Sequence, residues 1–180
     1  MKNPLHYCLY FTIILSVWSC QNSKKELDEF QPYHGPVIEA RDIETIYSDS
    51  AKVKMIVEGP LQRQYENQDL DYPEGVMITF FNEKEEKASV LTADKGHFDK
   101  EKNIYTATGN VIVIDLIGKK DLKTEELHWS PVKKQIYTEE YVVITTPKQI
   151  LKGNGLVAEQ DFSQYVITKP TGIISVDEDE

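Results

Sequence analysis

Three acidic residues stand close together in the stretch DKGHFDKE, namely Asp94, Asp99 and Glu101. Paired carboxylates of this kind serve glycoside hydrolysis, one as general acid and the other as base or nucleophile. The chain holds 30 acidic residues, so close pairs arise by chance, and Asp99 and Glu101 also read as groups that solvate a turn. Asp94 ends an alternating run just before Lys95-Gly96, the place of a turn or capping residue. His97 and His128 each precede an aromatic residue, Phe98 and Trp129. Two imidazoles brought to one face would suit a metal; the alternative is a pair of edge or turn histidines. The sequence has no His-Glu-x-x-His run, no phosphate loop and no Gly-x-Ser-x-Gly elbow. From residue 21 onward it has no cysteine, so neither a disulfide nor a thiolate metal site is available there. These features point to a protein that is not an enzyme and carries no cofactor.

The elements that position these residues are strands. Residues 88–115 read as two strands and a hairpin, with HFDKEKN (97–103) as the polar turn. In the second strand Tyr105, Ala107, Gly109, Val111 and Val113 fall on one face, because side chains alternate with a period of two. Before it come a short strand at 43–47, a second at 53–57 ended by Gly59-Pro60, and a third at 76–81. Residues 61–71 fit either a strand with an irregular polar edge or a short helix. After it come strands at 122–129, 136–145, 151–157 and 162–168, with one more possible at 172–176. No long amphipathic helix is visible. The pattern returns after about one hairpin: Leu91 and Leu122 are 31 residues apart, Tyr105 and Tyr137 are 32. Fold class is therefore all-β, as a sandwich, a jelly roll or a solenoid. Its end strands, at 43–57 and 150–176, would leave backbone groups free to pair with a partner.

The strongest positive signal is apolar. Val53, Met55, Val57, Val76, Ile78, Phe80, Leu91, Ala93, Tyr105, Val111 and Val113 all point to one side of their strands. They would either seal an ordinary core or line a groove between two sheets that do not fully close. Such a groove would take acyl chains, since each methylene removed from water is worth ~0.8 kcal/mol. A net charge of −10 argues against a nucleic-acid partner.

The N-terminus reads as an address with an anchor. Lys2 precedes an apolar run at 7–18, which is shorter than the roughly 20 residues of a spanning helix. Val17-Trp18-Ser19-Cys20 resembles the lipobox of bacterial lipoproteins, in which the Cys is lipidated and becomes the mature N-terminus. Trp18 departs from that pattern, whose slot usually holds a smaller residue. The expected division is a signal peptide at 1–19, a flexible tether at 20–38, a β-domain at 39–176 and an acidic tail at 177–180.

Val90-Leu91-Thr92-Ala93-Asp94-Lys95-Gly96, Tyr105 and Gly109-Asn110-Val111-Ile112-Val113 together resemble the LptC-type lipopolysaccharide-export proteins of the OstA-like superfamily. Val76-Met77-Ile78-Thr79-Phe80 and Leu122-Lys123-Thr124 continue the resemblance, which spans about residues 43–168. It implies a twisted, V-shaped, incompletely closed antiparallel β-jelly roll without catalytic residues. It implies lipid A acyl chains in the groove and edge-to-edge pairing with an inner-membrane ABC transporter and periplasmic bridge jelly rolls. By position it places Tyr72 beside the lipid path and Asp42 near its entrance. The expected location is the periplasm of a Gram-negative bacterium, anchored to a membrane, the inner one in this reading, through lipidated Cys20. The alternative is an envelope lipoprotein of the same superfamily that acts as a structural or assembly adaptor.

Overall fold

The computed structural model describes residues 33–172. The signal peptide, lipidation at Cys20, most of the tether and the acidic tail lie outside the described residues, as does most of the possible strand at 172–176. The domain is all-β. Its strands are β1 (Ile38–Asp49), β2 (Lys52–Gln64), β3 (Leu70–Tyr72), β4 (Val76–Phe81), β5 (Lys87–Ala93), β6 (Lys95–Asp99), β7 (Ile104–Asp115), β8 (Lys120–Ser130), β9 (Gln135–Thr145), β10 (Ile150–Glu159) and β11 (Tyr165–Pro170).

All eleven belong to one antiparallel sheet, an incompletely closed jelly roll. The connectivity is simpler than the count. β3 and β4 both pair with β2 and are separated only by Pro73-Glu74-Gly75. β5 and β6 both pair with β7 and are separated only by Asp94. Each pair is one long strand broken in the middle, and the sheet is a meander in which every long strand lies beside its neighbours in sequence.

The breaks fall at the same height across the sheet. β7 shifts register between Thr108 and Val111, β8 between Lys123 and His128, and β10 between Asn154 and Leu156. Left-handed backbone collects on this line, at Asp42, Gly75, Gly109, Asn110 and Gly155. Bulges of this kind bend a strand and sharpen its twist. Here they fold the sheet across its strands into two half-sheets whose inner faces meet. Phe80 of β4 packs edge-on against Trp129 of β8 across the fold, with ring centroids 5.7 Å apart. Gly96 leaves room for the Val76 side chain of the opposite half: a Cβ there would lie 3.1 Å from Val76 Cγ1.

Bending breaks ladder hydrogen bonds, and side chains replace them. Thr124 Oγ1 donates to the Tyr141 carbonyl at 3.0 Å, and Thr138 Oγ1 accepts from the Glu140 N–H at 3.1 Å. The Asp94 N–H donates to the Gly109 carbonyl at 2.9 Å, while Asn110 Nδ2 donates to Asp94 Oδ2 at 2.7 Å. Asp94 therefore holds the crease, and Gly109 is the residue that lets the two strands approach there.

Several boundaries differ from the sequence reading. β1 begins at Ile38 rather than at 43, because the Val37 N–H and Ile38 find partners at Gln64. Gly59-Pro60 does not end β2. Pro60 sits where β2 passes from β4 to β3, so its missing N–H costs no pairing to either. Residues 61–64 thus continue a strand, and no helix forms at 61–71. His97, Phe98 and Asp99 belong to β6 rather than to a turn, because β7 pairs with all three and β3 with His97 and Phe98 on the other side. Phe162 lies in the turn before β11, with φ 59°. Among the described residues only β1 and β11 are true edges. β2 and β10, also expected at the edges, are interior strands with a partner strand on each side.

Gly109 has φ 80°, and a Cβ there would lie 2.9 Å from Asp94 Oδ2. Gly109→Ala should therefore lower stability by ~1–3 kcal/mol, read as a lower urea midpoint at unchanged m-value. An unchanged midpoint would show that the crease does not depend on this backbone conformation.

Candidate functional site

The residues expected on one apolar face do share the interior between the half-sheets. Met55, Tyr72, Val76, Ile78, Phe80, Leu91, Val111 and Val113 are buried in the core cluster, and Tyr105 is partly buried against it. Val53 is half-buried at the end of β2, where β1 and β2 shift register. β8, β9 and β10 supply a second set: Leu122, Leu127, Trp129, Ile136, Val142, Ile144 and Leu156 are all buried. Ile136, Val142 and Ile144 keep the alternation of the first set, so their signal was present in the sequence; in β8 the inward parity switches between Leu122 and Leu127, across the register shift.

The interior is layered. Aromatic rings form one layer: Phe98 stacks on Tyr105 at 4.3 Å, and Tyr105 lies 4.9 Å from Trp129, which meets Phe80. Aliphatic side chains from both halves fill the rest. Among the two readings, groove or sealed core, the space is filled. The cavity lined by Val57, Tyr72, Ile78, Leu91, Leu127 and Trp129 holds about 20 Å³, which is room for little more than one water. A second cavity of about 70 Å³ opens at the tips of the strands, lined by Tyr47, Lys54, Met55, Phe80, Trp129 and Gln160.

The tips of the two halves are also clasped together. Lys120 Nζ lies 3.3 Å from Asp115 Oδ2 and donates to the Ser163 carbonyl at 3.1 Å. It also sits 5.1 Å from the ring centroids of Phe162 and of Tyr165. Asp115 in turn accepts from the Ile117 and Gly118 N–H groups, which fixes the β7–β8 turn. Phe162, fully buried, carries the β10–β11 turn into the core. At the other side Lys54 Nζ is 2.9 Å from Glu83 Oε1, and this hydrogen bond holds the Glu83 carboxyl below the usual carboxylate range.

The residues considered for catalysis do not converge. His97 pairs with Asp71 at 2.7 Å, while His128 faces Thr106 at 3.0 Å and Glu126 at 3.1 Å. Thr106 stands between the two histidines in the register. Asp99 is bound to Lys102, whose ammonium and N–H hold its carboxyl below the ordinary range. Glu101 is exposed in the turn. Among the described residues, no group of three or more His, Cys, Asp or Glu is placed to hold a metal. Asp42 lies on the outside of the crease, in an open depression of about 550 Å³ shared with Glu44, Glu58 and Glu74.

Three interior tyrosines report on closure of the halves. Burial pushes the Tyr105 phenol up to about 12, and Tyr72 and Tyr165 are raised for the same reason. Gln62 Nε2 donates to Tyr72 Oη at 2.8 Å, which opposes the shift there. A phenol that ionises at about 10 when unfolded and higher when folded contributes stability below pH 10. That stability is lost as pH rises toward 12. Unfolding midpoints should fall between pH 10 and 12, and Tyr105→Phe should flatten part of the slope. Phe162→Ala should cost ~3–5 kcal/mol, with the loss seen as a lower thermal midpoint. A loss under 1 kcal/mol would show that the turn does not plug the core.

Comparison with known proteins agrees with the geometry. The profile of a family described as lipopolysaccharide-assembly, LptC-related, matches residues 7–169. No curated protein matches the chain. The matched span takes in β1 to β10 and all but the last residue of β11. The chain belongs to the LptC-related lipopolysaccharide-assembly family, whose members serve in lipopolysaccharide transport.

Proposed function

We propose that this protein is a membrane-anchored periplasmic link in lipopolysaccharide export. The acyl chains of lipid A enter between the half-sheets, and the lipid passes on to the next β-jelly roll. Family membership supports the pathway. The observation that carries the mechanism is the continuous apolar interior bounded by two edge strands, each paired on one side only. Among the described residues β1 pairs with β2 alone and β11 with β10 alone. Free N–H and C=O groups on both edges suit strand addition by an ABC transporter component at one end and a bridge protein at the other. Lipidation at Cys20 would supply the anchor. Energy must come from the transporter, because the chain has no nucleotide loop.

The interior is packed in this structure, so lipid must part the halves. The break-line makes this feasible. Opening turns about bulges already present and disturbs side-chain packing across the fold more than strand pairing within it. Methylenes entering from water, at ~0.8 kcal/mol each, offset the packing that the two halves give up on parting. The packed interior also gives some support to the alternative, an adaptor of the same family that joins partners through its edges and carries no lipid.

Photo-crosslinking in cells separates the two. A benzoyl-phenylalanine at Ile78 or Phe80 should capture lipopolysaccharide, and one at the outward, exposed Lys123 should not. Capture of proteins alone, from every position, would favour the adaptor and overturn lipid carriage.

A further inference from the structure

The indole of Trp129 is unlike the other polar groups of the interior. The residue is 6 % exposed, and its Nε1 is buried without a hydrogen-bond partner. A buried donor left unpaired costs ~1–3 kcal/mol. Along the crease this protein satisfies its polar groups with threonine, aspartate and asparagine side chains, so an open donor stands out. Among the described residues Ser89 Oγ is also unpaired, but it borders neither cavity.

Trp129 borders both. On one side is the mouth cavity, with Tyr47, Lys54 and Gln160 in its wall. On the other is the inner cavity, walled by Val57, Ile78, Leu91 and Leu127. The residue that carries the unpaired donor therefore stands where a polar entrance gives way to an aliphatic interior. The group that fits is an acceptor oxygen joined directly to hydrocarbon. A free anion fits less well, because the mouth sets Asp49 and Glu83 against Lys54 and Lys134, with Lys54 already committed to Glu83, and so offers no net positive charge. A plain alkane would leave the N–H unpaired.

We propose that Trp129 Nε1–H donates to the carbonyl oxygen of an ester- or amide-linked acyl chain. This contact sets the depth of entry, with the carbonyl at the mouth and the methylenes running inward past Phe80. The inference rests on the lipid-carrier reading above and adds to it a recognised chemical group and the residue that reads it.

The test uses two phosphatidylglycerols with ten-carbon chains, one ester-linked and the other ether-linked and lacking the carbonyl. Both are titrated below their micellar concentrations into the wild-type protein and into Trp129→Phe. Wild type should bind the ester form about three- to tenfold more tightly than the ether form. Trp129→Phe should bind both at the ether affinity, without loss of thermal stability beyond that of a conservative ring change. A second measurement does not depend on the variant: the Trp129 indole N–H resonance of wild type should move downfield with the ester lipid and not with the ether. Equal affinities in wild type, or an ester preference kept by Trp129→Phe, would overturn the carbonyl contact while leaving lipid carriage intact. Failure of wild type to bind either lipid would overturn both.

Discussion

A sheet folded across its strands must break its own ladder at the fold, and each polar group released there needs a partner. That constraint organises the domain. Thr124 and Thr138 pair with backbone groups that the ladder gives up, Asn110 ties the Asp94 carboxylate across the break, and the left-handed positions at Gly75, Gly109 and Gly155 supply the backbone bends. Once the crease is satisfied, the inner faces of the two halves come together without a second sheet. The core, the aromatic layer and the clasp at the strand tips all follow from that closure.

The same geometry divides the molecule by task. The crease is held by hydrogen bonds and strained backbone, whereas the halves are held together by packing and by the interactions of Lys120, Asp115 and Phe162. Hydrogen bonds within each half lie roughly parallel to the interior surface, so separating the halves need not unzip strands. The edges are separate again. β1 is exposed along most of its length and contributes chiefly Ile43 to the core. Its cost of rearrangement is therefore low, which suits a strand that trades partners.

Alternation made the strands and their inward faces readable from the sequence, down to most positions of the apolar interior. The crease was legible only in part. Gly109 and Gly155 inside strand runs mark bulge positions, but Thr108 and Glu126 look like ordinary strand residues, and only the register shows that the breaks line up. Pro60 and HFDKEKN misled for a related reason. Local turn signals were outweighed by strand pairing, with β3 and with β7. Phe162 looked like a strand residue because bulky apolar side chains favour strands, yet its burial requires a left-handed backbone in a turn. The unpaired indole of Trp129 depends on what surrounds it in three dimensions, and no pattern of residue types announces it.

The meander has a consequence for how the chain reaches this state. Every long strand lies beside the ones before and after it in sequence, so no pairing waits for a distant segment to be found. Loop-closure entropy is small at each step, and hairpins form in roughly 1–10 μs. Assembly can proceed hairpin by hairpin in chain order, and the slow event is then the collapse of the halves onto each other. A polypeptide delivered one end first gains from such an order, because each new strand meets a finished neighbour on arrival.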